Sequence, residues 1–278
     1  MKTLVSIELG KLFRKWRTYI GFIAIGALTP IIQYAIYAEG DSYLNFFTQN
    51  LQNSFYMSGN LLNGYLIGYL ILQALLFHIP FLVVLVGGDL LASEATMGTY
   101  RMILTRPVSR FKILTSKYIA GFIYTTLLIG WLAFLSLFVS ILLFGTGDLL
   151  VIRSVITIFS SDDVLWRFGM AYLTAIVSMT TVFSISFLFS ALVENAIGPI
   201  IASMALIIIF VIISAIPIPA LESIRPYLFT YYFTIWREFF GSSVDWGMVF
   251  QSGLILILHS VGLYLITLFI FIKKDILS

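Results

Sequence analysis

Six stretches of this chain are apolar over about twenty residues or more: roughly Trp16 to Tyr37, Leu61 to Val86, Ser116 to Phe144, Trp166 to Leu192, Ala196 to Ile216 and Met248 to Ile272. Runs of this length match a hydrocarbon layer about 30 Å thick and are too long for ordinary core helices. An α-helix satisfies its own backbone groups, which lipid cannot do. The expected fold is therefore an all-α polytopic membrane protein, a single transmembrane domain over residues 1–278 with six spans. Charged residues make up 10% of the chain, against about 25% in soluble domains.

Those few charges are placed unevenly. Six spans put both termini on one side, and that side holds Lys2, Lys11, Arg14, Lys15, Arg17, Arg101, Arg106, Arg110, Lys112, Lys117, Lys273 and Lys274. Set against Glu8, Asp89, Glu94, Glu194 and Asp275, these twelve basic residues leave +7; the other side has four basic residues and eight acids, or −4. The bias predicts cytoplasmic termini in an inner membrane. It accounts for the basic balance without a nucleic-acid partner. The N-terminus is expected not to be a cleaved signal, since its basic residues extend to Arg17 with no small-residue cleavage site after the first apolar run. Val5, Leu9, Leu12 and Trp16 form one stripe at helical spacing, with Lys11, Arg14 and Lys15 away from it. That pattern predicts a helix lying in the headgroup plane.

The longest polar, motif-like stretch on the cytoplasmic side is Glu94 to Arg110, EATMGTYRMILTRPVSR. Leu90, Leu91, Glu94, Met97 and Gly98 read as a short helix ended by glycine. Tyr100, Ile103 and Leu104 continue an apolar face until Pro107, which disfavours helical angles at Arg106. Ser109 is placed to cap the helix that becomes the third span.

This stretch resembles the first cytoplasmic loop of permeases of the type-2 ABC export family. Glu94, Gly98, Thr99, Leu104, Pro107, Ser109, Arg110 and Lys117 match that family's order and spacing. The motif covers about thirty residues, and the resemblance in architecture covers the chain. It implies a coupling helix between spans two and three that seats on a separate ATP-binding subunit. Two such subunits would work with a second permease copy or a related permease chain. Glu94, Gly98, Thr99, Tyr100, Leu104, Pro107, Ser109 and Arg110 would carry the coupling, with Glu94 and the basic cluster pairing with charges on the partner. No G-x-x-x-x-G-K-[ST] phosphate loop occurs, so ATP and Mg would be bound by the partner, with no cofactor on this chain.

Polar residues within the spans are costly and mark pathways. Gln33, Asn63, Gln73, His78, Ser178, Thr181 and His259 are the candidates, and no Asp or Glu falls well inside the spans as drawn. That weighs against a proton- or sodium-coupled carrier. The histidines read as satisfied by hydrogen bonds between helices. Ser178, Thr180, Thr181, Ser184 and Ser186 either line a pathway or satisfy each other and the backbone. Pro80 is expected to kink the second span, and Gly64 with Gly68 forms a small-residue patch for close helix contact. Pro217 to Trp246 is rich in aromatics. It reads either as an interfacial belt or, by the same resemblance, as short external helices before the sixth span. Paired carboxylates, H-E-x-x-H, G-x-S-x-G and metal-ligand clusters are absent from the sequence, so no enzyme activity or metal site is expected. The functional expectation is the membrane half of an ATP-driven exporter, with an amphipathic or lipid-like cargo. A secondary carrier or channel, or a membrane scaffold, is the alternative.

Overall fold

The computed structural model of the chain describes residues 1–52, 61–98, 108–153 and 155–274, with side chains throughout except 41 and 43–52. Among the described residues, six helices are long and apolar enough to cross a membrane. The protein is an all-α polytopic membrane protein with one small β-hairpin.

Helix α1 (Lys2–Phe13) leads into α2 (Trp16–Gln52), whose apolar part is Trp16–Gly40. Three helices follow in series: α3 (Gly64–Leu76), α4 (Ile79–Gly87) and α5 (Asp89–Thr96). Then come α6 (Arg110–Phe144), α7 (Ser161–Leu192), α8 (Ile197–Ala215) and α9 (Trp246–Lys273). The expected second span, Leu61 to Val86, is broken rather than kinked. Pro80 has no N–H, and its ring conflicts with the carbonyl four residues back, at Leu76. Helix α3 ends at Leu76 and α4 begins at Ile79. The helix that reaches crossing length here is Ile79–Thr96, with Gly64–Leu76 as a shorter apolar helix before it.

Helix α6 starts at Arg110, six residues before the predicted span, because Ser109 caps it by accepting from the Lys112 N–H. Near its far end it widens into a π-helical turn, Phe134–Val139. Gln33 of α2 serves that turn, its Nε2 donating to the Leu135 carbonyl and to Ser140 Oγ, each at 3.0 Å. Helix α3 presses on the same turn through glycine. A side chain at Gly64 would meet the Ile141 backbone at 2.5 Å, and one at Gly68 would meet the Ser136 carbonyl at 2.8 Å. The small-residue patch read from the sequence is thus a contact within the chain.

Strands β1 (Leu149–Ile152) and β2 (Ile156–Phe159) pair antiparallel, Leu149 opposite Phe159. Helix α7 is the centre of the bundle and packs against α4, α5, α6, α8 and α9. Between α8 and α9 lie a single turn, Pro219–Glu222, and 3-10 helical segments at Arg225–Tyr227 and Phe229–Phe240. A 3-10 helix repeats every three residues. Phe229, Tyr232 and Ile235 are accordingly buried, as are Trp236, Phe239 and Phe240. These rings form an inserted cap and not the interfacial belt: Phe240 lies 5.0 Å from both the Tyr69 and Phe168 rings.

Candidate functional site

Glu94 and Arg110 were expected to face a partner protein, and the structure engages both within the chain. Glu8, Lys11 and Leu12 share one face of α1, since residues three and four apart are helical neighbours, and Lys15 follows just past its end. That face, and not the Val5–Leu9–Leu12–Trp16 stripe, lies on the bundle: Glu8 and Leu12 are buried while Trp16 is 72% exposed. The stripe fails because a helix docked on protein can bury a carboxylate when a cation waits opposite. Here the cation is Lys117 of α6, 1% exposed, at 2.7 Å from Glu8 and 2.6 Å from Glu94 of α5. Lys11 completes a closed, charge-balanced quartet, 2.7 Å from Glu8 and 3.0 Å from Glu94.

A second knot adjoins it. Asp89 binds Lys15 and Arg17, each at 2.7 Å, and Lys15 also donates to Ser93 at 2.6 Å. The start of α5 is stitched to α7 by Ser190. Its hydroxyl accepts from the Leu91 and Ala92 N–H groups and donates to the Gly88 carbonyl. A free helix start leaves N–H groups unpaired, and here a remote serine supplies the acceptor. Thr96 ties the other end of α5 to the Glu194 carbonyl at 2.6 Å.

Burial pushes the Glu8 carboxyl up, but Lys117 and Lys11 outweigh it and hold it below its ordinary value. Burial likewise pulls Lys11 down, and Glu8 and Glu94 outweigh that, so its ammonium is held above its ordinary value. Both groups stay charged across the neutral range.

Glu94 is therefore a buried partner of Lys117 and Lys11, a correction to the expectation that it faces a second protein. Arg110 is also engaged within the chain, donating to the Ile272 and Lys274 carbonyls at 2.8 Å, where it caps the end of α9. Ser109 is a helix cap. Gly98 has the left-handed φ of 65° that a glycine stop allows, and the Met97 side chain before it is 60% exposed. Thr99, Tyr100, Leu104 and Pro107 lie outside the described residues. The sequence also placed no acid well inside a span, yet Asp89 and Glu94 lie in the last eight residues of the Ile79–Thr96 helix. Their compensation comes from lysines far away in sequence.

The pathway candidates separate on inspection. Gln33 is buried on the π-helical turn. Asn63 caps α3 and donates to the Asp148 carbonyl at 2.8 Å. Ser178 donates to the Thr174 carbonyl, and Thr181 bridges to α9 through the Leu256 carbonyl and Ser260. Thr180, Ser184 and Ser186 likewise bond backbone of their own helix. Of the two readings of these hydroxyls, the structure supports mutual and backbone satisfaction. His78 and His259 each bond the carbonyl four residues earlier, at Ala74 and Ile255, so the expected bonds between helices are not made. Gln73 and His78 remain exposed at the α3–α4 break.

The chain belongs to the DUF2705 family, described as "Protein of unknown function", which matches residues 27–277. It is also similar to the uncharacterized protein YhcI of Bacillus subtilis (strain 168), with 32% identity over 123 residues. That alignment spans 41% of this chain and 37% of YhcI, so it covers little more than a third of that protein's length.

Proposed function

We propose that this member of the DUF2705 family is the membrane-spanning permease subunit of an ATP-driven exporter. It would lie in the cytoplasmic membrane with both termini inside and work as a dimer with two separate ATP-binding subunits. The observation that carries the reading is how α5 is held. The last eight residues of a helix of membrane-crossing length, stopped at an exposed methionine, are bound by buried ion pairs to α1 and α6, and by Ser190 to α7. A push delivered near Met97 reaches three elements of the bundle without a slack joint. Such a joint suits an element that receives work, and a loop needing only to connect two spans has no use for it. Helices α2, α8 and α9 leave room for a second copy in lipid, with only 22%, 17% and 22% of their most apolar stretches buried, against 67% for α7.

The buried charges favour one second reading, a proton-coupled carrier, because Glu8, Glu94 and Lys117 are titratable groups held out of water. Purification of the chain from its native cells in mild detergent separates the two. The exporter reading expects a stoichiometric partner carrying a phosphate-binding loop, lost on Met97→Asp while the bundle stays folded. A preparation that yields no ATP-binding partner, even after crosslinking, would sink it.

A further inference from the structure

At the end of the bundle away from α1, the guanidinium groups find acceptors within the chain, with one exception among the described residues. Arg167 pairs with Asp163 at 2.7 Å and donates to the Phe239 carbonyl. Arg225 donates to the Ile216 carbonyl. Arg153 donates to the Arg237 carbonyl at 3.1 Å. The guanidinium of Arg237 lies 5.5 Å from the Trp236 ring but has no carboxylate or carbonyl acceptor among the described residues, and its Nε, like that of Arg225, is buried without one. It stands beside a cavity of about 80 Å3 formed where the aromatic cap meets α3, lined also by Gln73, Phe77, Phe233, Thr234 and Trp236. A water needs about 10–15 Å3 of such space, so the cavity takes several water-sized groups, enough for a phosphate. Gln73 and Phe77 are exposed, so the cavity lies along the flank of the second span. Polar groups on the flank of a membrane helix are costly unless something engages them.

We infer that this cavity holds the anionic headgroup of a lipid-like amphiphile that enters from the side. Arg237 receives the charge through its unused fork of N–H groups. Gln73 and Thr234 supply neutral hydrogen bonds, and Phe77 with Phe233 takes the first carbons of the chain. The site is cargo only if the permease reading holds; binding itself requires no ATPase.

The test is native mass spectrometry of the full chain in mild detergent, titrated with phosphatidylglycerol, phosphatidylcholine or glycerol 3-phosphate. The choline cation of phosphatidylcholine offsets its own phosphate, so a cation at Arg237 predicts a preference for phosphatidylglycerol of about tenfold. Arg237→Gln should abolish the preference, Arg237→Lys should keep part of it, and Arg225→Gln should leave it intact. Equal binding of both lipids, or equal loss in the Arg237 and Arg225 variants, overturns the site. Displacement of the lipid by equimolar glycerol 3-phosphate would make it a site for a free anion and overturn the amphiphile. Should Arg237→Gln fail to fold, Gln73→Leu with Thr234→Val must weaken phosphatidylglycerol severalfold, and unchanged binding refutes the proposal. A negative result here leaves the co-purification test untouched, and a missing ATP-binding partner leaves this assay untouched.

Discussion

The two ends of this bundle are closed by opposite chemistry. At the α1 end, four charges of balanced sign are packed against one another, with Lys117 almost wholly out of water. At the other end, a 3-10 segment sets Phe240 between Tyr69 of α3 and Phe168 of α7, Trp236 on Tyr69 and Phe239 on Trp246 of α9. Ion pairs have a preferred partner and distance, so they define one docked position sharply and fail when one member is lost. Aromatic packing is less directional and tolerates small shifts. The first end is built to transmit displacement without slip, and the second to seal while its neighbours move.

The sharpest way to break that contrast is Lys117→Met. It leaves Glu8 and Glu94 buried with Lys11 as their remaining quartet partner, and loss of one member of a buried pair costs about 3–5 kcal/mol. The thermal midpoint in detergent should fall by the largest margin of any change described here; an unaltered midpoint would mean that the quartet is wet. Phe240→Ala should come next, at about 3 kcal/mol, the low end for a buried ring. The same measurement on Tyr231→Ala, whose ring is 41% exposed, should show far less. Equal losses would deny the cap its place in the core. Arg167→Gln removes the ion pair at the aromatic end and weakens the tie to the Phe239 carbonyl. It should cost about 2 kcal/mol, visible as earlier proteolysis near Gly241, and a protease pattern identical to the parent's would remove Arg167 from the cap.

The smallest effect concerns pH. Glu8 is lowered when folded, so its contribution is present above the ordinary value of 4.5 and is lost as pH falls below it. Lys11 is raised, so its contribution is present below 10.5 and is lost as pH rises through the folded value. Melting midpoints should stay level between about pH 5 and 10 and drop on both sides. A slope near neutrality would mean that a different group governs α1.

Features whose cause is local were readable from the chain. Five of the crossings follow from apolar length, the start of α6 from Ser109 and the stop after α5 from Gly98, while Pro80 announced a kink where the second span is broken. What escaped reading depends on partners distant in sequence. Glu8 looks like a solvated residue on a basic helix until Lys117 is placed beside it. Ser190 looks like one more hydroxyl on a polar span until the free N–H groups of α5 arrive. Gln33 reads as a pathway residue because nothing in a linear sequence announces a π-helical turn. Of the residues that resemble a coupling motif, Glu94 and Arg110 are used inside the chain, and Thr99, Tyr100, Leu104 and Pro107 lie outside the described residues.

The separation between those partners also sets a schedule for making the protein. Glu8 and Lys117 are 109 residues apart, and Lys11 and Glu94 are 83 apart. At about 5–20 residues per second, a ribosome leaves α1 without its quartet partners for several seconds while α2 to α5 are laid down. During that interval its charged face has only water and lipid headgroups for company. Helix α1 thus waits for α6 before its quartet closes, and a chain stalled before α6 would leave Glu8 without its buried lysine.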